Sequence, residues 1–174
     1  LIGTSGPVEA VPDMETLIEK FDIASITKSA AKFDVSELDT LNAKLVHDLD
    51  FDIVAQRLTA AGVEGGEAFW NAVRGNIVKV EDAAFWWDRV INAKAVIDSE
   101  DRDFISDALT LLPAEPWDEN TWSAWVGAAK EATGRKGKGL FMPLRKALTG
   151  EEHGPELAAL LPIIGRERTL ARLS

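Results

Sequence analysis

The chain has 174 residues, of which 46% are apolar and 28% charged, with no cysteine, two histidines and a net charge of −10. This is the composition of a soluble globular protein long enough to bury a core without staples, and it excludes disulfides, thiol nucleophiles and thiolate metal sites. Charges interrupt every apolar run well short of a membrane span, and no basic-then-apolar signal segment opens the chain.

The start, Leu1-Ile2-Gly3-Thr4-Ser5, is apolar and lacks an initiator methionine, so it reads as a piece of something longer. Leu38, Leu41, Leu45 and Leu49 then recur at spacings of three and four, which predicts a helix with Ser36 in its N-cap region. Short helices are expected over Phe51–Thr59 and Glu67–Arg74, separated by Gly62 and the Gly65-Gly66 break. Ile77 to Val80 carries only a weak strand signal. Val80–Ala93 places Ala83, Trp87 and Val90 on one helical stripe, and a hinge is expected near residues 94–99. Ser99–Leu112 follows with Phe104, Ile105, Ala108, Leu109 and Leu112 apolar, and Pro113 and Pro116 end it.

Asp118 stands as an N-cap for a helix carrying Trp122, Trp125 and Ala129, with Gly134 as its stop. Gly134-Arg135-Lys136-Gly137-Lys138-Gly139 reads as a flexible basic loop. A short helix over Phe141–Leu148 is expected to open with Pro143, and another to open with Pro155 in its first turn, with Gly165 dividing that one from the last. The fold class is therefore all-α.

Charge is unevenly spread. Residues 1–129 hold 10 Lys/Arg against 24 Asp/Glu, a balance of −14, whereas residues 130–174 hold 9 against 5, a balance of +4. An acidic body with a basic end is the asymmetry that bears on partners.

Little in the chain suggests catalysis. His47 and His153 have no partner at metal-ligand spacing. Asp48, Asp50, Asp52, Glu100, Asp101 and Asp103 cluster at predicted helix starts, where carboxylates suit the helix dipole. The 134–139 loop lacks the four-residue spacing and the Gly-Lys-Ser/Thr ending of a nucleotide-hydrolysing loop, and it follows a helix rather than a strand. A basic glycine-rich loop can still approach nucleic-acid phosphates. The six tryptophans can stack on unpaired bases, but most stand at core spacing.

The run Gly137-Lys138-Gly139-Leu140-Phe141-Met142-Pro143-Leu144-Arg145-Lys146-Ala147-Leu148-Thr149-Gly150 resembles the anticodon-domain signature of bacterial glutamyl-tRNA synthetases. Gly154-Pro155-Glu156-Leu157 and Ile164 through Leu173 continue the likeness in order and spacing, and residues 1–5 and 33–42 extend it toward the start. The resemblance implies an all-α helical cage preceded by the helical end of a stem-contact domain. Residues 1–49 would be the end of that stem-contact domain, and 50–97 and 98–174 two anticodon-binding subdomains. It implies a cytoplasmic, monomeric protein whose partner is glutamate tRNA, with no DNA and no membrane. ATP and Mg2+ would serve the full-length ligase, and this chain alone should form no glutamyl-adenylate.

Carried over by position, Met142, Pro143 and Arg145 would line one side of a pocket for splayed anticodon bases, and Gly154, Pro155 and Leu157 the other. Lys136 and Lys138 would touch phosphates there, and Lys28 and Lys32 would contact the stem. Strictly discriminating members of the family carry an arginine two residues after the position of Arg74, where this chain has Asn76. Arginine only donates, so it accepts cytosine and opposes the donors on guanine's pairing edge. Asparagine lacks that opposition, which implies relaxed reading and charging of glutamine tRNA as well, unless Arg74 takes over the reading. The competing reading is a helical protein–protein interaction module with an acidic face.

Overall fold

The computed structural model describes residues 9–11, 13–26 and 35–174. Among these residues there are ten α-helices, four short 3-10 turns and no strand. The helices are α1 (Met14–Glu19), α2 (Val35–Asp48), α3 (Phe51–Ala60), α4 (Gly66–Val73), α5 (Ala83–Asn92), α6 (Arg102–Thr110), α7 (Thr121–Thr133), α8 (Lys138–Thr149), α9 (Leu157–Ile164) and α10 (Arg166–Leu173).

The organising element is α9. Its sequence, Leu-Ala-Ala-Leu-Leu-Pro-Ile-Ile, carries no polar side chain, and a helix that is apolar all round belongs inside. Leu157, Leu160, Leu161 and Ile164 are buried. The helix packs against α4 and α5 on one side and against α7 and α10 on the other. One continuous core thus runs from Val46 to Leu173 through both sides of the 94–99 segment. Residues 94–98 of that segment are non-helical, and it is fastened: the Val96 N–H donates to the Lys146 carbonyl at 3.1 Å.

Several local readings change in the structure. Ser36 lies inside α2 rather than at its cap, and Leu38 on the expected apolar face of that helix is 49% exposed. The buried stripe of α5 is Ala83, Trp86 and Val90, with Trp87 only packed at its edge. The Ile77–Val80 stretch is not a strand; it leads into a 3-10 turn. Asp118 does cap α7, but from two residues outside the helix: its carboxylate accepts the Asn120 and Thr121 N–H groups at 2.8 and 3.1 Å. Gly134 ends α7 in the left-handed conformation, as expected of a glycine stop. Pro155 precedes α9 instead of opening it.

Pro143 lies well inside α8, which starts five residues earlier at Lys138. A proline there leaves the carbonyl four residues back without its helical donor. That carbonyl belongs to Gly139, and the Arg135 guanidinium donates to it at 3.2 Å. The same guanidinium pairs with Asp101, donates to the Glu100 carbonyl at 3.3 Å and sits 4.4 Å over the Phe104 ring. The basic loop expected to be flexible is therefore pinned at Arg135.

Most tryptophans are core, as their spacing suggests. Trp70 and Trp125 are fully buried. Their indole N–H groups donate to the Leu49 and Ala108 carbonyls at 2.9 and 2.8 Å, which satisfies the one polar atom each ring carries.

Candidate nucleic-acid interface

The basic end is built around α8. No acidic residue lies in its first turn, and Lys136, Lys138 and Gly139 surround its N-terminal end. Helix dipoles favour anions at that end, so exposed lysines there sum with the dipole into a local positive field. Lys136 and Lys138 are exposed and make no ion pair among the described residues. Lys146 differs: it pairs with Asp98, and that partner raises its pKa above the ordinary lysine value.

An open groove of about 540 Å³ runs beside α8, lined among others by Arg135, Lys138, Met142, Pro143, Lys146 and Glu152. Met142 is half-buried and offers adaptable apolar surface there. Its neighbours from the carried-over set behave differently. Pro143, Pro155 and Leu157 are buried, Leu157 with only 3% exposure as the first residue of α9. Pro143 lines the groove while packing into the core, whereas Pro155 and Leu157 are buried and do not line it. Gly154 is occupied as well. Its φ of +138° suits glycine, and a Cβ there would lie 2.1 Å from the Trp86 ring.

Arg145 is the most informative side chain of the set. It is half-buried, and one terminal nitrogen donates to the Pro155 carbonyl at 3.0 Å. The other terminal nitrogen is buried with no hydrogen-bond partner. Burial pushes the guanidinium pKa down, against the pull of the Glu156 carboxylate. A buried donor of a charged group without an acceptor is costly and rare.

Arg74 and Asn76 lie at the C-terminal end of α4 and in the 3-10 turn that follows it. Arg74 is half-buried and donates to the Leu49 carbonyl at 3.1 Å, the acceptor it shares with Trp70. It is thereby tied to the end of α2. Asn76 is exposed at the end of the following 3-10 turn. Lys28 and Lys32 lie outside the described residues.

A sequence profile of the anticodon-binding domain family matches residues 79–174, more than half of the chain and the whole of its basic end. The chain belongs to the anticodon-binding domain family. Over 99% of its length it is 54% identical to glutamate–tRNA ligase 1 of Brucella ovis and 55% identical to glutamate–tRNA ligase 1 of Chelativorans sp.. It spans about 39% of the length of these relatives. The fold also matches glutamate–tRNA synthetase of Elizabethkingia anophelis with a TM-score of 0.74 at 19% identity, covering 91% of this chain and 34% of that one.

Within this anticodon-binding domain, sequence reasoning missed two exposed features. Lys130 stands on α7 in line with Trp122 and Val126 at spacings of four, a stripe readable from the sequence. Phe141 is 45% exposed beside Met142 on α8. Arg172 was missed as a structural group. It is buried and donates to the Leu148 and Val90 carbonyls, each at 2.6 Å, tying α10 to α8 and α5.

Proposed function

We propose that this chain is the anticodon-binding, tRNA-recognising part of a glutamate–tRNA ligase, and that it charges nothing by itself. The observation that carries this reading is the placement of Lys136 and Lys138, exposed and without ion pairs among the described residues, at the N-terminal end of α8 inside the matched anticodon-binding segment. Lysines so placed neutralise phosphates and position RNA without reading sequence. Arg145, with one buried donor lacking an acceptor, is the group best suited to gain from a base or phosphate oxygen once it swings out.

ATP and Mg2+ belong, in this proposal, to the part of the longer ligase that the chain does not match. Among the described residues no group of three or more His, Asp or Glu side chains is placed to hold a metal ion. No described helix is long and apolar enough to cross a membrane. The proposal places the ligase in the cytoplasm as a monomer.

Recognition of the third anticodon base is relaxed in this reading, so that glutamine tRNA is bound as well as glutamate tRNA. Its support is that the exposed position carries Asn76, while Arg74 is held on the Leu49 carbonyl.

Salt titration of tRNA binding tests the main claim. Log affinity should fall linearly with log salt by about 0.7 to 0.9 per neutralised phosphate. Replacing Lys136 and Lys138 by alanine should reduce that slope by about one per lysine. A folded chain that ignores tRNA in dilute buffer overturns the proposal. For the third base, a preference above tenfold for glutamate tRNA, abolished by Arg74→Ala and untouched by Asn76→Ala, refutes relaxed reading.

A further inference from the structure

A second groove lies on the opposite flank of α8 from Met142, between α7 and α8. It encloses about 390 Å³ and is lined by Trp122, Val126, Gly127, Lys130, Lys136, Phe141 and their neighbours. Its chemistry divides cleanly. Trp122 and Phe141 form an aromatic wall, their ring centroids 6.4 Å apart at 36°. The buried Trp125 meets Trp122 edge-on at 5.8 Å and backs it from below. Lys130 and Lys136 are exposed on the rim, and neither makes an ion pair among the described residues.

The floor supplies an independent sign. Gly127 lies in the middle of α7, where glycine is less stable than alanine because it orders a freer backbone. Nothing in the packing requires it: a Cβ at this position would meet no atom within 4 Å. A side chain at this position would point into open space, and Gly127 is one of the residues that line the groove.

We infer that this groove takes one unpaired nucleotide of the RNA loop, its base laid on the Trp122–Phe141 wall and its phosphate between Lys130 and Lys136. The class of occupant follows from complementarity. Two cations without ion pairs among the described residues, beside the exposed Phe141 ring and the half-buried Trp122 ring on a chain of net charge −10, match an anionic ligand that carries a flat ring. Aromatic side chains hold bases by their faces and tolerate any base, because every base has such a face. No hydrogen-bonding group is needed to read an edge, so the groove contributes affinity without specificity. The inference rests on the RNA-binding reading above. It adds a holding site to the groove that Met142 lines.

The test uses the 174-residue chain and an RNA hairpin carrying the anticodon loop. Phe141→Ala removes an exposed ring and should bind about tenfold more weakly, the effect expected of losing one stacked base. Gly127→Leu fills the floor and should weaken binding similarly. Thermal melts report whether each variant is folded, and if Gly127→Leu unfolds, Phe141→Ala decides. Abasic substitutions along the loop then locate the base. At one position removal of the base should cost about tenfold with the unsubstituted chain and nothing further with Phe141→Ala, whereas exchanging that base for another should change little. If Lys138→Glu weakens binding while folded Phe141→Ala binds as tightly as the parent, the groove assignment is overturned and the RNA-binding reading stands. If the parent chain does not bind the hairpin at low salt, both fall.

Discussion

Two arginines reach into the same core and should respond oppositely to the same change. Arg172 donates to two carbonyls, Leu148 and Val90, each at 2.6 Å, and it has no orphaned nitrogen. Arg172→Met keeps a similar apolar stem but removes two hydrogen bonds from a charged donor. At about 1.5–3 kcal/mol each, the expected loss is about 3–6 kcal/mol. For a chain of this size that corresponds to a fall in Tm of roughly 6–24 °C. Arg145 makes one such bond, to the Pro155 carbonyl, and buries one donor that has no acceptor. Arg145→Met forfeits about 1.5–3 kcal/mol with the bond and recovers about 1–3 kcal/mol by removing the orphan. The net change should stay below about 2 kcal/mol. RNA affinity should still fall, about tenfold, because the donor is gone. Urea melts of the two variants at matched concentration, followed by hairpin titrations, check both halves. Equal destabilisation of the two variants, or unchanged RNA affinity in a folded Arg145→Met chain, would refute the reasoning that Arg145 is kept for a ligand rather than for the core.

Leu157→Ala tests the core role of that residue: as a buried residue opening the central helix it should cost about 2–5 kcal/mol, read as a lower Tm. A chain with unchanged stability and lost RNA binding would return Leu157 to the interface. Gly154→Ala forces a methyl within 2.1 Å of the Trp86 ring at a φ of +138° and should destabilise by at least about 1–3 kcal/mol. Shortening the obstruction with Trp86→Leu should make the two changes non-additive in a thermal-melt cycle. Backbone N–H donation from Asn120 holds the Asp118 carboxyl below its ordinary value of 3.8. A depressed carboxyl contributes stability above its unfolded value and loses it as pH falls through the folded one. The stability gap between the parent and Asp118→Asn should therefore be open at pH 7 and shrink as pH falls below the ordinary carboxyl value of 3.8; a gap independent of pH would count against the charged cap.

The helical nature of the chain is written in local patterns. The spacing of apolar residues, Gly134 as a stop and Asp118 as a cap all act over a turn or two, so α3, α4 and α7 could be placed nearly residue by residue. The basic character of the glycine- and lysine-rich run was equally legible from composition, whereas its last two residues, Lys138 and Gly139, form the first turn of α8 and Arg135 is pinned to the 100–101 turn.

What the sequence left open is the direction in which each side chain points. Met142, Pro143, Arg145, Pro155 and Leu157 all belong to the motif, yet Met142 and Pro143 line the groove, Arg145 is half-buried, and Pro155 and Leu157 are buried away from it. That outcome depends on α9 being wrapped by α4, α5, α7 and α10, contacts between segments far apart in the chain. Arg172 finds a carbonyl 82 residues away, and Arg135 reaches the 100–101 turn and restores the donor that Pro143 withholds. Local propensity decides which residues form a helix. Which face of that helix meets solvent is decided by what packs against it, and no window of neighbouring residues contains that information.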